Sequence, residues 1–200
     1  MASPSRRHIV FLRNWGIGPD QHNELLREVR ELLRGLCEHV IDVRIGPERI
    51  EVDLVTTDLE PVRGRLSALS EVLDAVVVGE RSPGSLREAL CEAVKLVGEG
   101  RYWEAHEVLE GVWRSAEGKE KLALNGLILF AAAHVKLQRG DEAGYRRLLR
   151  RALRALEASG LEELAGLNLR SLTSAVSGVL ETSEARYITI GLDCSGPRGA

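Results

Sequence analysis

The sequence predicts two domains, an N-terminal α+β domain with a ferredoxin-like order of elements and a C-terminal all-α helical bundle. Two observations lead to this division. Apolar residues alternate with charged residues in the first part of the chain, which is typical of strands, whereas they later recur every three or four residues, which is typical of helices. We therefore expect domains at residues 1–81 and 85–182, a linker at 82–84 and a C-terminal tail at 183–200.

The first domain begins with a predicted strand, a helix and a hairpin. Residues 8–12 are a short apolar run that suits a central strand. Residues 18–20, Gly-Pro-Asp, open a helix because proline fits the first turn and aspartate suits the positive end of the helix dipole. Residues 41–45 and 50–54 then alternate apolar and charged side chains around a Gly-Pro turn. This alternation predicts a hairpin with one buried face and one face in solvent.

A second helix and a last strand complete the first domain. Asp58 can cap the helix. Its inward positions would be Leu59, Val62, Leu66, Leu69 and Leu73. Residues 75–78 are apolar and predict a buried strand. The resulting order of strand, helix, strand, strand, helix, strand is the ferredoxin-like pattern, with another arrangement of four strands as the main alternative.

Start and stop signals divide the second domain into helices. Ser85 and Glu88 form a capping box that begins the first helix. A second helix carries His106 and ends around residues 115–118. The third helix, residues 119–139, is apolar nearly all round, so we expect it in the middle of the bundle. Its small residues would let the neighbouring helices approach closely.

The end of the second domain is predicted from caps and from one apolar run. Gly140 ends the third helix and Asp141 caps the fourth. A fifth helix is expected at residues 168–180. Residues 187–190, Tyr-Ile-Thr-Ile, predict a short late strand within the tail.

Composition limits the location and the partners of the chain. No stretch approaches about 18 consecutive apolar residues, so no membrane span is expected. The net charge of −3 implies no general attraction to nucleic acid, which is therefore not an expected partner. Cysteines stand at positions 37, 91 and 194. Because they are odd in number and far apart, they argue against a disulfide framework or a zinc knuckle and favour a reducing cytoplasm.

The segment from Tyr102 to Trp113 places a histidine and carboxylates beside an apolar stripe. His106 and Glu110 are four residues apart, so they stack at the rim of that stripe on one side of a helix. Polar groups at such a rim are half buried and need partners. His134 lies on the next helix, on the side opposite the polar strip of that helix, so its side chain should point inward. Since consecutive helices of a bundle are often antiparallel neighbours, His134 could meet His106.

These residues predict a metal-dependent hydrolytic site. Imidazole and carboxylate groups bind zinc, manganese or iron, so His106, Glu110 and His134 would be the ligands of a divalent ion. Glu107 would be the general base that accepts a proton from water. The pattern His-Glu-x-x-Glu is related to the His-Glu-x-x-His of metalloproteases. The substrate would be an unidentified small molecule, and a homo-oligomer is compatible with the sequence.

Two other interpretations of the same residues stay open. They can form a hydrogen-bond network that fixes the register of the helices with no chemistry attached, or line a small-molecule pocket that uses no metal. The protein would then be a non-enzymatic binding or assembly module. A row of arginines on one side of the fourth helix is either a solvated face or a strip for phosphate or RNA: Arg146, Arg147, Arg150, Arg151 and Arg154. No aromatic residues interleave with them, which favours the solvated face.

Three segments resemble the domain-of-unknown-function 309 family. They are residues 102–113 with the His-Glu pattern, the Asn-Gly-Leu-Ile of residues 125–128 with the alanines and His134 that follow, and residues 140–144. The resemblance covers about residues 86–160 and implies a small helical bundle tagged as a predicted metal-dependent hydrolase. The positions that it implies are His106, Glu107, Glu110 and His134. Leu129 stands where a glutamine would be expected, which removes one polar group from the implied site.

Overall fold

The computed structural model describes residues 4–79 and 84–194. Contacts between residues divide this part of the chain into two compact units. The first contains residues 4–79 together with 138–140, and the second contains the other described residues. Residues 82 and 83 of the predicted linker and residues 195–200 of the predicted tail lie outside the described residues.

The first unit contains a four-stranded sheet and two helices. All neighbouring strands are antiparallel, and the order across the sheet is β2-β3-β1-β4, so β1 and β3 are central. The predicted sequence of strands and helices is observed, with a short 3-10 turn at Pro19–Gln21 before the first helix. The bounds are β1 Arg6–Arg13, α1 His22–Leu32, β2 His39–Ile45, β3 Arg49–Thr56, α2 Glu60–Leu66 and β4 Val72–Val77.

One face of this sheet forms an apolar core with both helices. α1 contributes side chains spaced three to four residues apart, which places them on one side of the helix. The alternate positions of the strands meet them, because successive side chains of a strand point to opposite faces. The core includes Val10, Leu12, Leu25, Val29, Val43, Ile50, Val52, Val62 and Leu66.

The prediction that one face of the hairpin lies in solvent is wrong, because the charged residues of that face are buried. Arg44, Glu51 and Asp53 are 2%, 0% and 0% exposed. Arg44 Nε donates to Glu51 Oε2 at 2.5 Å, and Arg44 Nη1 donates to Asp53 Oδ2 at 3.1 Å. Arg7 donates to both oxygens of Asp53, at 2.9 and 2.7 Å. Burial would lower the pKa of Arg44, but the two carboxylates raise it, so the guanidinium stays charged.

The last strand of the sheet also differs from the prediction. β4 covers Val72–Val77 instead of residues 75–78, and β1 is its one partner among the described strands. As an edge strand it is half buried at most positions. Leu73, expected to face inward, is 39% exposed.

The second unit contains five helices among the described residues. The predicted caps at Ser85 and Asp141 are confirmed: Ser85 Oγ accepts from the Glu88 amide at 3.2 Å, and Asp141 Oδ1 accepts from the Gly144 amide at 2.8 Å. Asn168 Oδ1 likewise accepts from the Ser171 amide at 2.8 Å and caps the last helix. A two-stranded hairpin separates the last two helices. The bounds are α3 Leu86–Gly98, α4 Tyr102–Trp113, α5 Gly118–Gln138, α6 Glu142–Ser159, β5 Glu163–Leu164, β6 Leu167–Asn168 and α7 Leu169–Glu181.

Helix α5 supplies the centre of the second core, as its composition predicted. Leu124, Leu127 and Phe130 are almost completely buried in the same cluster as residues of α3, α4, α6 and α7. Gly126 allows α6 to approach closely, because a Cβ at this position would lie 2.6 Å from Cγ of Leu156. This contact explains why a glycine is kept inside a helix despite its unfavourable helix propensity.

The chain after α7 crosses the helical unit without regular structure. We call residues 182–194 the strap. The strand predicted at residues 187–190 is wrong, because these residues belong to no strand and the Ile188 amide donates to the ring of His134 instead. No described helix is long and apolar enough to cross a bilayer.

A disulfide bond between Cys91 of α3 and Cys194 at the end of the strap is a further correction. The cysteine spacing argued against disulfides, but a separation of 103 residues in sequence carries no information on proximity in space. Cys37 is the free cysteine of the described chain. The cytoplasmic location inferred from the cysteines stays a prediction.

Candidate functional site

Helix α4 positions the candidate site at the rim of the helical core. Tyr102, Ala105 and Leu109 face the core and are buried, as their spacing of three and four residues requires. The side chains of His106 and Glu110, on the adjoining side of the helix, are 23% and 38% exposed. These two groups are therefore open to solvent on one side only.

His106 stands between two carboxylates. Its Nε2 atom lies 3.7 Å from Glu110 Oε1, and its Nδ1 atom lies 3.4 Å from Glu107 Oε1. One ligand atom from each of the three residues lies within 4.8 Å of the others. Within residues 4–79 and 84–194, this is the group of three or more metal-ligating side chains that the structure brings together. The local spacing along α4 thus assembles three of the four residues singled out in the sequence.

The spacing of His106 and Glu110 fits a divalent metal ion. Two ligand atoms about 2.1 Å from a tetrahedral ion lie about 3.4 Å apart, close to the separation of Nε2 and Glu110 Oε1. His106 Nδ1 is inaccessible to solvent and forms no hydrogen bond within the described chain. An ion arriving from solvent would therefore use Nε2 and Glu110. Glu107 would then lie at the opposite ring nitrogen, where carboxylates commonly orient ligating histidines.

The structure does not bring His134 to this group. The ring is completely buried, as predicted, but both of its nitrogens are occupied. Nδ1 lies 2.9 Å from the Phe130 carbonyl oxygen, and the Ile188 amide donates to Nε2 at 3.1 Å. A carbonyl can only accept and an amide N–H can only donate, so the hydrogen is on Nδ1 and the lone pair of Nε2 is used. The role of His134 as a third metal ligand is therefore corrected.

His134 is the centre of an aromatic cluster. Tyr102 stacks on the ring at a centroid distance of 4.6 Å, Phe130 lies at 4.4 Å, and Tyr145 meets it edge-on at 5.5 Å. Tyr187 of the strap stacks in turn on Tyr102 at 5.7 Å. Burial lowers the pKa of His134 to about 4, although the bond to Phe130 acts in the opposite direction. The imidazole is thus a neutral structural group.

Sequence reasoning missed the residues that complete this cluster. The hydroxyl of Tyr145 donates to the carbonyl of Arg186 at 2.5 Å. Tyr187 was assigned to a strand. The signal that could have identified it is an aromatic residue inside an otherwise short apolar run of the tail.

Trp113 lies one turn beyond Glu110 on the same helix. Its indole nitrogen is buried and forms no hydrogen bond with any described residue. The ammonium group of Lys121 lies 4.7 Å from the centre of the ring, within the range of a cation–π contact. Trp113 therefore packs at the rim through its ring face, and its N–H has no hydrogen-bond acceptor among the described residues.

Comparisons with known proteins agree with the resemblance noted in the sequence. Residues 90–148 match the family described as Domain of unknown function (DUF309). The crystal structure of a conserved hypothetical protein from Thermus thermophilus is 40% identical in sequence over 46% of this chain and 96% of its own, with a TM-score of 0.40. No curated protein matches. The family match includes all of α4 and α5, and hence all four residues singled out in the sequence.

Proposed function

Since the chain belongs, through its helical half, to the family described as Domain of unknown function (DUF309), we propose that this half binds a divalent metal ion and supports metal-dependent hydrolysis. The observation that carries the proposal is the convergence of ligand atoms of His106, Glu107 and Glu110 within 4.8 Å, with His106 and Glu110 half buried and Glu107 exposed. The ion would be zinc, manganese or iron, because imidazole and carboxylate ligands suit these metals.

Each of the three residues has a distinct task in this proposal. His106 Nε2 and Glu110 hold the ion, and the open positions around it are left to water and substrate. Glu107 acts as a positioning residue, because a carboxylate 3.4 Å from Nδ1 favours the tautomer with its hydrogen on Nδ1 and leaves the lone pair of Nε2 for the ion. A divalent ion bound there would supply Lewis-acid chemistry. This assignment replaces the general-base role predicted for Glu107.

Metal binding by protein prepared without a chelating tag tests the proposal. Zn²⁺, Mn²⁺ and Fe²⁺ are titrated calorimetrically, and bound metal is counted by mass spectrometry. We expect about one equivalent per chain, lost in Glu110→Gln and in His106→Ala. Glu107→Gln should weaken binding by about 10- to 100-fold, as is typical when a group that orients a ligand is removed. Hydrolysis of p-nitrophenyl acetate and of bis(p-nitrophenyl) phosphate should depend on the metal and disappear in Glu110→Gln.

Two matched variants control for nonspecific effects. Glu157→Gln removes an exposed carboxylate from α6 and should leave metal binding unchanged. His134→Gln should also leave it unchanged, whereas a ligand role for His134 would make this variant as defective as Glu110→Gln. Less than about a tenth of an equivalent of bound metal, with no shift in melting temperature on adding the ions, would contradict the proposal.

A non-enzymatic binding or assembly module is the second candidate function. The observation in its favour is His134, whose Nε2 atom accepts from the Ile188 amide and so joins α5 to the strap, while Nδ1 bonds to the Phe130 carbonyl of α5. The arginines Arg147, Arg150, Arg151 and Arg154 on α6 would then be a surface for a partner. A double substitution of His106 and Glu110 by alanine discriminates between the candidates. Loss of stability with no metal-linked change favours the module, and an intact fold that no longer binds metal favours the site.

We further propose that the first unit has the ferredoxin-like topology. Its strand order β2-β3-β1-β4, with antiparallel neighbours throughout, and its two helices after β1 and β3 support this assignment. The topology alone predicts no activity, because folds of this kind carry many unrelated functions.

A further inference from the structure

The first half of the strap is attached to the helical unit by side chains of α5 and α6. Arg146 of α6 donates to the carbonyls of Thr182 and Ser183 at 2.9 and 2.5 Å. Two further hydrogen bonds anchor the strap. The hydroxyl of Tyr145 donates to the Arg186 carbonyl, and the Ile188 amide donates to the ring of His134. Each of these bonds joins the strap to a side chain of the helical unit, so the strap is held at points and not by a continuous ladder.

The far end of the strap is held against α3. Arg87 of α3 donates to the Asp193 carbonyl at 2.9 Å, and one helical turn further along, Cys91 forms the disulfide with Cys194. Between the two ends, Ile188 is buried and Ile190 lines a small apolar cavity formed with residues of α3, α4 and α5. The strap therefore covers part of the helical core, and the disulfide closes its far end.

The disulfide is placed where a reductant can reach it. Cys194 is exposed, and Cys91 is half buried. Attack by a thiolate requires access to one of the two sulfur atoms, and exposed disulfides are the ones most often reduced in regulation. The bond closes a long loop, because its cysteines are 103 residues apart in sequence.

We propose that the Cys91–Cys194 disulfide is a redox switch that fastens the strap across the helical core. A dithiol reductant gives up two electrons and two protons and becomes a disulfide, while the sulfur–sulfur bond breaks and Cys91 and Cys194 each become a thiol. Residues 189–194 then leave the surface of α3, and the apolar side chains beneath Ile190 become exposed. The anchors at Tyr145 and His134 keep the first half of the strap in place. The switch does not depend on the proposed metal site.

Chymotryptic cleavage after Leu192 of the full chain tests the switch, because Leu192 lies in the segment that reduction releases. Air-oxidised protein and protein reduced with dithiothreitol are alkylated, freed of reagent and digested briefly, and the products are analysed by mass spectrometry after full reduction. Oxidised protein should carry one alkyl group, on Cys37, and reduced protein three. Cleavage after Leu192 should be at least about tenfold faster in the reduced protein, because a protease needs a segment that opens locally.

Two variants make the result specific. Cys91→Ser, without reductant, should be cleaved as fast as the reduced wild type, and Cys37→Ser should respond to dithiothreitol as the wild type does. Equal cleavage rates in the oxidised and reduced wild type would overturn the proposal. So would three alkylated cysteines in air-oxidised protein, because the bond would then not form. Neither of these wild-type measurements requires the variants to fold.

Discussion

Acidification should lower the free energy of unfolding, because the buried side chain of His134 resists protonation in the folded protein. The pKa of this imidazole is lowered by burial to about 4, from 6.5 in an unfolded chain. Between these two values the unfolded chain binds a proton that the folded protein does not, so stability falls as the pH falls and becomes level below about pH 4. From pH 7 to pH 5 the expected loss is about 2 kcal/mol, and the full difference in pKa corresponds to about 3 kcal/mol.

The groups that face His134 do not titrate in acid, so the titration of His134 can be measured separately from theirs. Tyr102 of α4, Tyr145 of α6 and Tyr187 of the strap face the ring together with Phe130 of its own helix. Burial raises the pKa of Tyr102 and of Tyr145, so neither hydroxyl titrates in acid. Protonation of Nε2 would also remove the acceptor for the Ile188 amide, since an imidazolium has no lone pair. The loss of stability in acid therefore comes from the charge on the buried imidazole and from the lost hydrogen bond that attaches the strap.

Urea denaturation at pH 7, 6 and 5 measures the effect by difference. The wild type is compared with His134→Gln, whose amide does not titrate, and the gap between their unfolding free energies should shrink by about 2 kcal/mol from pH 7 to pH 5. His39→Gln, at an exposed histidine, should follow the pH dependence of the wild type. A gap that stays constant with pH would refute the reasoning. A nuclear magnetic resonance titration of the His134 ring with a pKa near 6.5 would refute it as well.

Two further substitutions test the packing of the two units. Arg44→Met removes the buried cation that pairs with Glu51 and that shares Asp53 with Arg7, and it should lower the unfolding free energy in urea by about 3–5 kcal/mol; a loss within experimental error would show that the pairing of Arg44 does not stabilise the fold. Gly126→Ala brings a Cβ within 2.6 Å of Leu156 Cγ and should cost about 1–3 kcal/mol, whereas Gly98→Ala, with nothing within 4 Å, should cost nothing. Equal stability of the two alanine variants would contradict the close approach of α5 and α6.

The helices of the second unit were predictable because their signals are local. A cap needs only a side-chain oxygen and an amide two or three residues later, and Ser85, Asp141 and Asn168 each provide this within one turn. His106 and Glu110 were also predictable as a pair, because a spacing of four residues on a helix fixes their proximity.

The burial of charge in the hairpin could not be predicted from alternation. A period of two shows that the two faces of a strand differ, but it does not show which face meets water. Considered individually, Arg44, Glu51 and Asp53 are residue types that are usually exposed to solvent. They are tolerated inside because the cation meets carboxylates on a neighbouring strand. Such pairing depends on strand register, which the sequence shows only indirectly.

The strap escaped prediction for a different reason. Its contacts join residues far apart in sequence: 41 positions separate Tyr145 from Arg186, 54 separate His134 from Ile188, and 103 separate the bonded cysteines. A segment without periodic structure carries no pattern that indicates such partners. The same apolar residues that suggested a strand instead cover a helical core.

The role of His134 could not be predicted for the same reason, because its partner Ile188 lies far away in the sequence. A histidine that points into a helical bundle can ligate a metal or remain neutral between a donor and an acceptor, and residue type alone does not distinguish these outcomes. The Ile188 amide decides between them, because it occupies the nitrogen that a metal would need. A site left with His106 and Glu110 has one protein ligand fewer than a typical catalytic zinc site. Its ion would therefore be held more weakly and exchange more readily, and the affinity measured for Zn²⁺ indicates directly whether α4 alone forms the centre.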